Sequence, residues 1–227
     1  MKKRIVFAIL ITGLGGIIAE ILILRELLIT FYGNELSIGI ILANWLILEA
    51  IGAFFLGKKI EYFKKKIEAF VALTIIFSVS FPVAIYLTRI IKDIMGIIPG
   101  EGVGLIPIFI SSFFILLPVS ISHGALFTFG CKIYSLYSKR EPAASVGRVY
   151  IYETLGTILG GVGLTYLLIP HFHSLEIALG VSLLSIILCI YLRPAKILTG
   201  ISIIFLLLIG SLIFSGGKDR LHTSSVN

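Results

Sequence analysis

The sequence predicts an all-α fold, a polytopic transmembrane helix bundle of about seven spans. Its 227 residues are 58% hydrophobic and only 14% charged, with a mean hydropathy of +1.09, whereas soluble domains carry roughly 25% charged residues. Apolar runs of about 20 residues recur from end to end. Basic residues gather in short clusters between those runs instead of along one face. Each run crosses roughly 30 Å of hydrocarbon at about 1.5 Å rise per residue. The runs lack the alternation of a barrel strand, and backbone groups in lipid must be satisfied within the segment, so helices are required.

The first span covers 5–31. The opening MKKRIVFAILITGLGG has the basic start and apolar run of a signal peptide, yet no A-x-A cleavage site follows and the apolar stretch continues to Phe31. It reads as a retained first span. The others cover 37–57, 68–90, 104–129, 149–169, 175–192 and 195–214, the sixth being the shortest. Pro82 and Pro118 fall inside spans three and four, where each removes an amide donor and favours a kink. Residues 1–214 form the transmembrane domain, and 215–227 form a short polar tail, either a free end or a linker to a soluble domain.

Alternate loops differ sharply in basic residues. Lys2, Lys3, Arg4, Lys58, Lys59, Lys64, Lys65, Lys66, Lys132, Lys139, Arg140, Arg148, Arg193 and Lys196 share one side, a total of 14, against 4 on the other (Arg89, Lys92, Lys218 and Arg220). The positive-inside rule makes the richer side cytoplasmic, with a cytoplasmic amino terminus in the cell membrane. Seven spans put the tail outside the cytoplasm, and a count differing by one reverses that.

Ionisable groups within spans cost about 2.5–3.5 kcal/mol at a helix centre and need a partner or water. They are Glu20, Arg25 and Glu26 in span one, Glu49 in span two, His123 in span four and Glu153 in span five. Glu20 and Arg25 are separated by about 140° around a helix of 3.6 residues per turn, so they do not pair with each other. Arg25 is expected to meet a carboxylate of a neighbouring span. These residues form either a polar pathway for an ion, proton or substrate, or charge pairs that lock helices together, with Arg25 and Glu26 alternatively snorkelling to the interface. His123 by itself reads as a hydrogen-bonded structural residue. In span five, Gly156 and Gly160 form a GxxxG that lets another helix approach closely, within the bundle or in a homodimer.

A net charge of +7 could suggest a nucleic-acid partner, but the clustering of the cations fits topology, with the lipid bilayer as the partner. Cys131 and Cys189 lack the spacing of a zinc site or disulfide framework and read as core thiols. The GxGxxG register starting at Gly13 puts Ile18 at the third glycine, inside a span and without a preceding strand. There is no Walker sequence, HExxH, nucleophile elbow or cluster with metal-ligand spacing, so no catalytic residue, cofactor or metal is expected within the chain.

Two segments, LRELLITFYGNELSIGIILANWLILEAIGAFFLGK (24–58) and GRVYIYETLGTILGGVGLTYLLIP (147–170), together with Glu20, resemble the membrane module of the multi-pass spermidine synthase-like proteins. The matching positions are Glu20, Arg25, Phe31, Gly33, Gly52 and Gly57, then Gly147, Tyr150, Thr154, Leu155, Gly156, Gly160 and Pro170. Glu49 and Glu153 depart from the pattern, standing where a small residue and an asparagine are expected. The resemblance implies a transporter-like bundle, comparable to half of a major facilitator, that anchors or feeds a soluble aminopropyltransferase-like domain of methyltransferase fold. That domain's nucleotide loop and acidic catalytic residues do not occur in these 227 residues. The alternative is a small secondary transporter, acting alone or as a dimer, with an acidic intramembrane pathway lined by Glu20 and Glu49.

Overall fold

Seven helical rods follow one another with short connections in the computed structural model, which describes residues 1–96, 103–138, 141–192 and 194–224. They are α1 (Lys2–Phe31), α2 (Glu35–Tyr62), α3 (Lys66–Met95), α4 (Leu105–Ser138), α5 (Ala143–His171), α6 (Ser174–Tyr191) and α7 (Lys196–Ser224). Among the described residues there is no strand. The first six are long and apolar enough to cross a membrane, and the apolar part of α7, Lys196–Gly210, is shorter. Lys139, Arg140 and Arg193, which belong to the basic flanks, lie outside the described residues, as do 225–227 of the tail. Helix α7 continues through much of the stretch read as tail.

Several helices run past the edges of the apolar spans, because backbone hydrogen bonding continues where the side chains turn polar. Helix α1 starts at Lys2, and α2 carries Lys58 and Lys59 within its last turns. Long basic side chains can reach toward headgroups while their stems stay on the helix. The boundaries have local causes. Tyr32 adopts a left-handed conformation (φ 49°) after α1, and Asn34 then caps α2 by accepting from the Leu36 and Ser37 amides at 3.1 and 3.2 Å. Gly96, at φ 66°, terminates α3.

Helix α1 lies at the centre, packed against α3, α4, α5 and α6 and touching α2. Two pairs approach most closely, and glycine makes both possible. A side chain at Gly156 of α5 would overlap the carbonyl oxygen of Leu10 in α1, and one at Gly13 would overlap the carbonyl of Glu153. Gly160 sits in the same way over Leu14. In the second pair, Gly52 of α2 lies on the Ile121 carbonyl of α4, and Gly124 of α4 lies on the Glu49 carbonyl. Over longer stretches the partners advance together, Leu10 with Gly156 and Leu14 with Gly160 in the first pair and Asn44 with Ser112 and Gly57 with Thr128 in the second, so α1 runs parallel to α5 and α2 parallel to α4. Backbone contact of this kind substitutes for the hydrophobic drive that lipid does not supply.

Polar contacts reinforce the seams. The Asn44 amide nitrogen donates to the Phe109 carbonyl at 2.9 Å and to the Ser112 hydroxyl at 2.8 Å, tying α2 to α4. Thr30 donates to the Thr88 carbonyl at 3.0 Å between α1 and α3, and Thr157 to the Gly13 carbonyl at 3.4 Å between α5 and α1. Helices α2 and α5 each contain a π-helical turn, Gly52–Leu56 and Leu164–Leu168.

The packing predicts unequal tolerance within one glycine-rich run. Gly156→Val forces α1 and α5 apart and destabilises the bundle by about 1–3 kcal/mol, the usual cost of overpacking. Gly161, whose Cβ position meets nothing within 4 Å, accepts alanine without loss. Melting temperatures of the two variants in detergent check this.

Candidate functional site

Between α2 and α5, on a floor formed by α1 and α4, lies a cleft of ≈ 630 Å³. Its walls bear Glu49, Ala50 and Ala53 from α2 and Tyr150, Glu153, Thr154 and Thr157 from α5. The floor adds Gly13, Gly16 and Glu20 of α1 and His123, Gly124 and Phe127 of α4. Leu46 and Tyr150, 61% and 63% exposed, stand at its rim. Its volume falls within the roughly 300–1,000 Å³ typical of small-molecule sites.

The sequence builds this site at the seam between the two glycine-packed pairs. Gly16 is the opening: a side chain there would occupy the ring of His123, so its absence lets the imidazole of α4 lie against the backbone of α1. His123 Nε2 then reaches the Thr12 carbonyl oxygen at 3.3 Å, and Nδ1 lies 2.5 Å from Glu49 Oε1 on α2. The rings of Phe77 and Trp45, with centroids 5.7 and 6.2 Å from that of His123, wall the imidazole off from the remaining helices. Gly124, next in sequence to His123, brings α2 close enough for the Glu49 side chain to reach the ring.

Four of the six ionisable residues singled out in the sequence converge here: Glu20, Glu49, His123 and Glu153. The other two do not. Arg25 is exposed and, among the described residues, makes no ion pair; five positions after Glu20, it points away from the cleft. Glu26, directly after it, takes a cation from the neighbouring span instead, with Arg89 Nε donating to Glu26 Oε2 at 3.2 Å. Glu61 and Lys132 form a further ion pair between the ends of α2 and α4. Gly156 and Gly160 face α1, beside the cleft.

Among the described residues, no lysine or arginine lines the cleft. If Glu49 and His123 neutralise each other, Glu20 and Glu153 remain without a cationic partner, and in surroundings of low dielectric two such charges call for protons or a bound cation. Among the described residues, no three His, Cys, Asp or Glu side chains are arranged to hold a single metal ion. The acidic groups are spread over walls and floor, an arrangement that suits an extended ligand with hydrogen-bond donors.

The sequence reads His123 as a structural residue and gives no sign of Thr12 or Trp45, while Tyr150 and Thr154 enter it only as positions of the family resemblance. The available signal was His123 beside Gly124, a polar side chain at a position of close helix contact. Comparison of the chain with protein-family models, curated proteins and solved structures finds no match.

The two ion pairs should differ in weight. Glu49–His123, with side chains 25% and 12% exposed, is largely removed from solvent, whereas Arg89 opposite Glu26 is 46% exposed. A double-mutant cycle with Glu49→Gln and His123→Gln is expected to give a coupling of about 1–3 kcal/mol, and the corresponding cycle for Glu26 and Arg89 less than about 1 kcal/mol. Equilibrium unfolding in mixed detergent measures both.

Proposed function

We propose that the chain is an integral membrane module that takes a small organic cation, of the protonated-amine class, into its acidic cleft. In this reading it is the membrane portion of a spermidine synthase-like protein in the cell membrane, with its amino terminus in the cytoplasm. It anchors, or delivers substrate to, an aminopropyltransferase-like domain of methyltransferase fold that lies outside these residues. The observation that carries the reading is a cleft of ≈ 630 Å³ with three carboxylates and, among the described residues, no lysine or arginine in its lining. The distribution of the carboxylates favours an ammonium-bearing chain over a compact ion, because each N–H donor can find its own acceptor. The resemblance of the segments at 24–58 and 147–170 to spermidine synthase-like membrane modules supports an amine as the ligand.

A second reading keeps the cleft and the ligand class but has the chain act alone, or as a homodimer, as a small secondary transporter. The π-helical turns of α2 and α5 favour it. Such turns recur at functional sites, and interrupted helices beside a central site are a feature of transporters.

Calorimetric titration of the detergent-solubilised chain with butylamine, 1,4-diaminobutane and spermidine tests the shared premise. Binding is expected, and Glu20→Gln or Glu153→Gln should weaken it about tenfold, the equivalent of one charge-assisted hydrogen bond. Amine uptake into proteoliposomes that disappears in Glu20→Gln or Glu49→Gln identifies the transporter. Copurification with a soluble methyltransferase-fold protein, without uptake, identifies the anchoring module. If none of the three amines binds, both readings fail.

A further inference from the structure

We propose that cation binding and proton release are a single event in this protein, with the Glu49–His123 pair giving up its one shared proton when an ammonium group enters the cleft beside it. The inference rests on the reading of the cleft as an organic-cation site and adds the coupled ion and its carrier.

The argument begins at His123 Nε2, 3.3 Å from the Thr12 carbonyl oxygen. A carbonyl offers only lone pairs, so the hydrogen in that contact belongs to Nε2. On the other side of the ring, Nδ1 and Glu49 Oε1 are 2.5 Å apart, too close for two lone pairs to face each other. One proton therefore lies between them. Written as imidazolium and carboxylate, or as neutral imidazole and carboxylic acid, the pair has zero net charge, and the proton belongs to the pair as a unit.

The groups around the ring determine what an arriving cation meets. Glu20 faces the ring from α1, Glu49 from α2, and Glu153 from α5, where the Tyr150 phenol also lines the cleft. From α3 the Phe77 ring lies against the imidazole, and from α2 the Trp45 ring does so beside Glu49. Among the described residues, no lysine or arginine competes for the carboxylates lining the cleft.

An ammonium entering the cleft donates an N–H to Glu49 Oε1 in place of the shared hydrogen. The hydrogen held between Nδ1 and Oε1 leaves to water as a proton. His123 remains a neutral imidazole, its hydrogen on Nε2 and bonded to Thr12, with a free lone pair on Nδ1. One positive charge enters and one leaves, so the charge of the cluster is unchanged, as its low-dielectric surroundings demand. Because binding expels a proton, affinity rises with pH, about tenfold per unit where one proton is exchanged.

Titration calorimetry with butylamine, in two buffers of different ionisation enthalpy, counts the protons released by the detergent-solubilised full chain. The expected count is about one, with a tenfold gain in affinity per pH unit. Glu49→Gln, whose amide donates to Nδ1 and leaves nothing to expel, and His123→Gln, which leaves Glu49 without an imidazole, should both bind butylamine with a reduced proton count and a flattened pH profile. Wild-type binding with no proton release, or an unchanged count in both variants, overturns the inference while sparing the cation site. If butylamine, 1,4-diaminobutane and spermidine all fail to bind, the inference falls together with the reading it rests on.

Discussion

Charge balance among carboxylates gathered between long apolar helices governs this molecule. Glu20, Glu49 and Glu153 come from three different helices to one cleft, which among the described residues is lined by no lysine or arginine. Elsewhere carboxylates meet cations at more exposed positions: Glu26 with Arg89, Glu61 with Lys132. Among the described residues His123 is the one nitrogen base lining the cleft, and it can offset only one of the three acids. In the function proposed above, protons and cationic solutes balance the remainder.

The fold that creates this imbalance depends on glycine. Two parallel pairs, α1 with α5 and α2 with α4, come into backbone contact through Gly13, Gly156 and Gly160 in the first and Gly52 and Gly124 in the second. Each pair is a tight unit, and the cleft lies where they meet. Gly16 joins the two, since its missing side chain admits the imidazole of α4 to the backbone of α1. Packing and site are thus made by the same residues, so a substitution that loosens the pairs also alters the spacing of the carboxylates.

Much of this was legible in the sequence, and the remainder was hidden for definite reasons. The helical class and the approximate position of each rod follow from apolar runs, which register directly in composition. The carboxylates at 20, 49 and 153 were conspicuous because charge within such runs is rare, and Gly156 and Gly160 because their spacing repeats every turn. That these residues share one cleft could not be read, since it depends on which helices become neighbours and on their rotation about their axes. Arg25 illustrates the limit: its charge suggested a partner, but its angular offset from Glu20 turns it outward, while Glu26, the next residue, faces α3 and Arg89. His123 illustrates the converse. A single histidine among apolar residues carries no functional signal until Glu49, Thr12 and the gap at Gly16 are seen around it.

Isotope-edited infrared difference spectroscopy of the glutamate carboxyl groups tests the charge balance most directly, because protonated and ionised carboxyls absorb in separate bands. Adding butylamine to the solubilised protein should convert protonated-carboxyl or imidazolium signal into carboxylate and neutral imidazole, and Glu49→Gln should diminish that conversion. If the amine binds while the carboxyl and imidazole bands do not change, the cleft does not trade protons for cations, and the account given of its charge is contradicted.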